Sequence, residues 1–315
     1  METILVAGGA GFLGSHLCEY LLNKDYSVIC VDNLITGKFE NIQHLVPDND
    51  FLFYNRNIVN YNSTLFDYGI KYIFNLASIA SPIEYMKHPI ETLEVGSIGT
   101  QNLLELAKFS KARYLFTSTS EIYGEPVQHP QNEQSWGRVS TTGLRACYDN
   151  SKRFSESLVM EYHRVHKVDI RIARIFNTYG PKMSQYDGRV ISTFIRQLIK
   201  NEDITIFGDG NQTRSFCYVN DLIEGLYRLM LSDYIYPVNL GNPDEYTVND
   251  MLKILFQVTG ETGNIIYKQL PQDDPTKRKP NIDLAENLLN WTPVTSLNYG
   301  LLQTYKWMKK EIDLI

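Results

Sequence analysis

The sequence predicts an α/β fold in which a doubly wound parallel sheet carries helices on both faces, followed by a smaller C-terminal α/β part. Three observations predict it. Short apolar runs alternate with helical periodicity through the first half. A glycine triplet lies between the first run and the first helix. After about residue 177 the alternation loosens.

Taken in order, "TILVAG" (3–8) reads as a strand and "FLGSHLCEYLLNK" (12–24) as an amphipathic helix. "SVICVDN" (27–33), "YIFNLAS" (72–78), "RYLFTST" (113–119) and "DIRIARIFN" (169–177) read as further strands, with helices near 92–109 and 149–167. "YGPKMSQYDGR" (179–189) is a loop rich in turn formers. "DITIFGDGNQTRSF" (203–216) reads as strand, turn and strand, and "PVNLGN" (237–242) as a strand returning to the main sheet. Helices near 247–259 and 298–312 follow, and "QLPQDDPTKRKPN" (269–281) is a polar, proline-bearing loop. Two parts are expected, 1–177 and 178–315, packed together without a clean linker.

Composition bounds the function. The chain has 315 residues and a net charge of −6 without a basic tail, which argues against nucleic acid or an anionic membrane as the main partner. No apolar run approaches the roughly 18 residues of a membrane span. "METILVAGG" lacks the basic and apolar regions of a signal peptide, so the expected location is cytoplasmic. Cys18, Cys30, Cys147 and Cys217 form no C-x-x-C pair and have no histidine cluster beside them, so reduced thiols and no metal are expected.

"VAGGAGFLG" places Gly8, Gly11 and Gly14 at three-residue spacing, after a strand and at the start of a helix. Such a loop lets the backbone approach a diphosphate at the positive end of the helix. Asp32 ends the second strand, 18 residues past Gly14, where an acid accepts the adenosine ribose hydroxyls and repels a 2′-phosphate. The plain alternative is a glycine-rich turn with Asp32 as a strand-end cap. The context favours a Rossmann-type domain over 1–177 that binds NAD rather than NADP, although Asn33 and Lys38 nearby soften that preference.

"CYDNSKR" holds Tyr148 and Lys152, which share one helical face at a spacing of four. An ammonium beside a phenol favours the phenolate, as a general base requires. With 21 tyrosines the spacing also arises by chance, as at Tyr20/Lys24 and Tyr305/Lys309, which read as ordinary helix faces. Tyr148 differs because "TSTSE", with Thr119, Ser120 and Glu121, ends a strand some thirty residues upstream.

With these elements the chain resembles the extended short-chain dehydrogenase/reductases that act on nucleotide sugars. Among them it is most similar to the UDP-glucuronate decarboxylases. The likeness runs nearly end to end, through "GGAGFLGSHL", "TSTSEIYG", "RACYDNSKR", "RIFNTYGPKM", "GDGNQTRSFCYVNDL" and "DDPTKRKP". It implies Tyr148 as the base for the sugar 4-hydroxyl, Lys152 tuning it and holding the ribose, and Thr119 and Ser120 on the reacting oxygen. It also implies that Glu121 and Arg278 work at the leaving carboxylate. It extends the NAD contacts to Phe12, Leu13, Asn33, Asn57, Ile58 and Leu76, and puts Tyr85, Asn177, Arg189 and Arg214 on a UDP-linked sugar. It further implies a homodimer through the helices near 92–109 and 149–167, for which Leu103, Leu104, Leu106, Leu158 and Val159 serve as well as for packing on the sheet. The chain departs from the family pattern at Asn57, Asn75, Asn150 and Ser151, and in the loop before Arg145, which lacks the usual prolines.

Other reactions stay open on the same fold. A 4,6-dehydratase needs an acid–carboxylate pair after the threonine, and here Ser120 precedes Glu121. A 4-epimerase requires neither Glu121 nor Arg278. A plain nucleotide-sugar dehydrogenase is a further possibility, and an idle NAD-binding regulator should have lost Tyr148 or Lys152.

Overall fold

A computed structural model describes residues 1–60, 68–269 and 278–313. The central sheet has seven strands, all parallel. They are β1 (Thr3–Ala7), β2 (Ser27–Asp32), β3 (Phe51–Asn55), β4 (Ile70–Asn75), β5 (Arg113–Thr119), β6 (Ile170–Ile175) and, after four short intervening strands, β11 (Pro237–Leu240). Their order is β11-β6-β5-β4-β1-β2-β3. The order reverses between β1 and β4, and in such sheets ligands bind at the carboxyl ends of the strands beside that reversal. β3 is absent from the sequence reading; β11 pairs in parallel with β6, from Pro237 beside Ile172 to Leu240 beside Ile175.

The strands are apolar on both faces because helices cover both. Ile4 and Val6 point into one core, with α1 (Phe12–Leu22), α6 (Val190–Ile199), α7 (Val219–Leu231) and α8 (Val248–Thr259). Leu5 and Ala7 point into the other, under α4 (Thr100–Ser110) and α5 (Ala146–His166). This is the period-two alternation of a strand buried on both sides. Leu103, Leu104, Leu106 and Val159 are wholly buried in that second core, so they pack on the sheet and are not available to a second copy. Leu158 is only partly buried beside them.

Two short helices, α2 (Pro82–Lys87) and α3 (Pro89–Glu94), each begin with proline at a first-turn position, where its missing N–H costs nothing. A π-helical turn at Val95–Gly99 joins α3 to α4, so the helix expected near 92–109 is two helices and a wider turn.

The C-terminal part adds three two-stranded sheets. β7 (Thr178–Tyr179) pairs with β10 (Cys217–Tyr218), β9 (Thr213–Ser215) with β12 (Glu245–Thr247), and β8 (Ile204–Phe207) with β13 (Ile265–Lys268). The two strands read within 203–216 therefore exist but pair elsewhere. α9 (Asp283–Leu289) and α10 (Leu297–Asp313) close the chain. Of the loop expected at 269–281, residues 270–277 lie outside the described residues. Among the described residues no helix is long and apolar enough to cross a membrane, and no His/Cys/Asp/Glu group could hold a metal.

One buried side chain ties the parts together. Asn239 of β11 is fully buried and its Oδ1 accepts from the Tyr123 hydroxyl at 2.7 Å. Its Nδ2 donates to the carbonyls of Gln131 and Asn281, both at 3.1 Å.

Candidate active site

A cleft of about 850 Å³ opens along the carboxyl ends of the sheet. Every residue assigned to the cofactor lines it, as do Thr119, Ser120, Glu121, Asn177 and Arg189.

Its floor is the glycine loop. Gly8 has φ +77, and a Cβ there would stand 2.8 Å from the Ala77 nitrogen. A Cβ on Gly14 would stand 2.0 Å from the Gly8 oxygen. Gly11 caps α1, whose first N–H groups have no acceptor within the helix, at residues that line the cleft. Asp32 receives the N–H groups of Ala10 at 3.0 Å and Leu34 at 2.8 Å, and burial holds its carboxyl above the usual range despite those bonds. Asn75, buried at the end of β4, donates to the Tyr114 hydroxyl at 2.8 Å and accepts from the Ala77 N–H at 3.2 Å, fixing the turn that closes over Gly8. A backbone cradle without room for Cβ atoms, an uncapped helix start and an acid at the second strand's end fit a dinucleotide.

Tyr148 and Lys152 stand on the first turns of α5, 6% and 4% exposed. The Lys152 ammonium donates to the Thr117 carbonyl at 2.8 Å and lies 5.9 Å from the Tyr148 ring centroid. Burial lowers Lys152 to about 7. Burial raises Tyr148 to about 12, opposed by the Thr119 hydroxyl bonded to it and by the charge of Arg189. The expected lowering of the phenol by Lys152 is thus not met: the cation that acts on it is Arg189, at the start of α6. The two other Tyr–Lys pairs serve helix surfaces, Tyr20 donating to Glu224 at 2.6 Å and Lys309 to Tyr305 at 3.0 Å.

Beyond Thr119 the chain turns through a 3-10 helix, Ser120–Tyr123, whose first N–H groups are capped by Thr119 accepting from Glu121 at 3.3 Å. Glu121 is gripped by two guanidiniums. Arg278 binds it bidentately at 2.6 and 2.8 Å, and Arg145 adds a bond at 2.7 Å. Burial opposes ionisation of Glu121, but the charges of Arg278, Arg145 and Arg189 outweigh it and hold the carboxyl below its ordinary range. The sequence reading gave Arg145 no role; it is the cap residue at the start of α5, three residues before Tyr148.

Three assigned residues do not line the cleft. Arg278 stands behind Glu121. Tyr85 is buried, its ring stacked on Tyr148 at 5.2 Å, and its hydroxyl has no partner among the described residues. Arg214 lies on β9, beside Ser215, whose hydroxyl bonds the Arg278 carbonyl at 3.3 Å. Arg189 bonds Asp187 at 3.1 Å and the Ala80 carbonyl at 3.0 Å, joining two loops at the cleft's rim.

Asp149 escaped the sequence reading. Burial, then the nearby Glu121 charge, push its carboxyl up to about 7. The unfolded group titrates near about 4, so the folded state binds more protons between about 4 and 7 and loses stability as pH rises through that window. Asp149→Asn removes that loss. Its melting midpoint is expected to exceed the parent's by about 2–4 °C at pH 8, and by less at pH 5, in scanning calorimetry. An equal gain at both pH values would contradict the raised carboxyl.

A profile described as the NAD dependent epimerase/dehydratase family matches residues 4–241. The chain belongs to that family. Within it the chain is 47% identical over 298 residues to UDP-glucuronic acid decarboxylase 2 of Arabidopsis thaliana, covering 95% of this chain and 66% of that protein. To UDP-glucuronic acid decarboxylase 1 of Xenopus tropicalis it is 45% identical over 312 residues, covering 99% and 73%. Among solved structures of the family it is similar to UDP-glucuronic acid 4-epimerase from Bacillus cereus in complex with UDP-glucuronic acid and NAD. The TM-score is 0.88 and the identity 29%, with 98% of this chain and 99% of the other covered.

Proposed function

We propose that this protein is an NAD-dependent decarboxylase that converts UDP-glucuronate to UDP-xylose. The observation that carries the reading is the Arg278–Glu121–Arg145 cluster beside Tyr148: two guanidiniums converge on Glu121, which lines the cleft together with Tyr148, and concentrate positive charge at the end where a uronate carboxylate would be handled. Residues 1–177 hold the dinucleotide and 178–315 complete the nucleotide-sugar site, with Asn177, Arg189 and Arg214 on the UDP side and Tyr85 supporting the sugar end.

NAD, which the glycine loop, Asp32 and Lys152 would hold, would supply hydride acceptance from the sugar's C4 and its return, so the reaction has no net oxidation. Tyr148 takes the 4-hydroxyl proton, and Thr119 and Ser120 hold the reacting oxygen. Lys152, anchored on the Thr117 carbonyl, holds the ribose. The 4-keto group is β to the carboxylate, so carbon dioxide leaves as an enolate forms. Hydroxyls preorganised at that oxygen stabilise the developing charge. C5 then takes up a proton, and each turnover consumes one proton and releases one carbon dioxide. Glu121, which lines the cleft, works at the carboxylate end, and Arg278 and Arg145 behind it keep its carboxylate aimed and supply positive charge there.

The test is incubation of the pure protein with UDP-glucuronate and no added NAD, following carbon dioxide and UDP-xylose. UDP-galacturonate as the product would establish a 4-epimerase instead, the second reading, favoured by the likeness to the Bacillus cereus enzyme. No turnover of UDP-glucuronate alongside turnover of a neutral nucleotide-hexose would sink the decarboxylase.

The protein is further proposed to work in the cytoplasm as a homodimer. Support for the dimer comes from the exposed apolar side chains Ile98, Phe154 and Val165 on neighbouring helical segments, 44%, 51% and 67% exposed. Phe154→Asp is expected to halve the mass seen by light scattering; an unchanged mass would place the interface elsewhere.

A further inference from the structure

From Gly124 to Arg145 the chain crosses from the 3-10 turn to α5 without a helix or strand. A connection that long is uncommon in a compact domain unless it is functional. Of its residues only Gln131 is buried, 3% exposed.

Gln131 lies against the segment that carries Arg278. Its N–H donates to the Lys279 carbonyl at 2.9 Å, and its carbonyl accepts from the Asn281 N–H at 2.8 Å. These are the backbone bonds of an isolated parallel bridge to Pro280. The side chain adds a bond that a bridge does not require: Oε1 accepts from the Lys279 N–H at 2.8 Å. That N–H belongs to the peptide joining Arg278 to Lys279. The other polar atom of the same peptide, the Arg278 carbonyl, accepts from the hydroxyl of Ser215, buried on β9, at 3.3 Å. Side chains therefore hold both atoms of the peptide. Gln131 is itself fixed, because its carbonyl also accepts from Asn239 Nδ2 at 3.1 Å. Its own Nε2 is sealed from solvent and has no partner among the described residues. A buried donor left unpaired is unfavourable, so what recommends an amide at this place is its oxygen.

We propose that Gln131 is a positioning residue for the reaction: its side-chain oxygen sets the peptide that carries Arg278, and through it the bidentate grip of Arg278 on Glu121. That grip, at 2.6 and 2.8 Å, needs two guanidinium nitrogens facing both carboxylate oxygens at once, and rotation of the peptide swings the side chain out of that alignment. Glu121, which lines the cleft, is then left with the single bond from Arg145 at 2.7 Å and turns about it. The inference deepens the decarboxylase reading and rests on it for the reaction measured, not for the clamp.

The experiment is a double-mutant cycle between Gln131 and Arg278 in the full chain. Gln131→Met keeps the length of the side chain and removes its oxygen. In the parent background it is expected to lower kcat for carbon dioxide release from UDP-glucuronate about tenfold, with KM and the bound dinucleotide unchanged. In the Arg278→Ala background it is expected to lower kcat by less than about twofold, because nothing remains to be positioned. Gln131→Asn withdraws the oxygen by one methylene and keeps the amide, and it stands in if the methionine variant does not fold; its smaller loss is expected to vanish in the same background. Equal fold-losses in both backgrounds, an unchanged kcat, or a parallel loss of bound dinucleotide overturns the proposal. A parent protein that turns over no UDP-glucuronate overturns the function instead. The cycle is then read in denaturant midpoints, which need no substrate: Gln131→Met is expected to shift the midpoint less in Arg278→Ala than in the parent, and additive shifts overturn the clamp.

Discussion

Tyr148→Phe is expected to lower turnover of UDP-glucuronate by about 10²–10⁴-fold, the range of a lost general base. The ring stays, so its stacking on Tyr85 at 5.2 Å is kept and the fold should melt unchanged. The cofactor should remain too, because the glycine loop, Asp32 and Lys152 are untouched. Absorbance of the purified variant gives the ratio of dinucleotide to protein, and single-turnover assays give the rate. Wild-type activity would remove Tyr148 as the base; loss of the dinucleotide would make its role one of binding.

The second large effect is expected from Arg278→Ala. The Arg278 and Glu121 side chains are 12% and 15% exposed, so the pair is largely shielded from solvent. Breaking such a pair by removing one partner costs about 3–5 kcal/mol where nothing else compensates. Arg145 compensates in part, so about 1–3 kcal/mol of stability is expected, read from denaturant midpoints. Carbon dioxide release should fall further than dinucleotide binding, and Glu121→Gln should show the same split. Equal loss of both would make the pair purely structural. The pH sign follows from Glu121's depressed carboxyl. Its contribution is present above the unfolded value near about 4.3 and is lost as pH falls through the lower folded one. In Arg278→Ala the acid-unfolding midpoint should move upward.

Much of this was written locally in the chain. The glycine loop was legible because a Cβ-free backbone approach leaves a spacing that few other structures need, and β5 because the apolar run Tyr114–Phe116 leads directly into a row of hydroxyls. β3 is a five-residue strand at the sheet edge, with Leu52 43% exposed, too weakly patterned to separate from a loop. The leucines of α4 showed that the helix has an apolar face but not whether the sheet or another copy covers it. The grip on Glu121 joins residues 157 apart, and no spacing rule encodes such a meeting. Asp149 looked like an ordinary first-turn acid; only burial against Glu121 sets it apart.

Asn239 has a mechanical consequence. It bonds Tyr123, two residues from Glu121, and the carbonyl of Asn281, three residues from Arg278. Acid and guanidinium are therefore both tied, through neighbours two and three residues away, to one amide in a seventh strand that bonds neither. A shift of that amide would reach both sides of the ion pair at once, so the last strand of the sheet serves as a common mount for two groups that lie 157 residues apart.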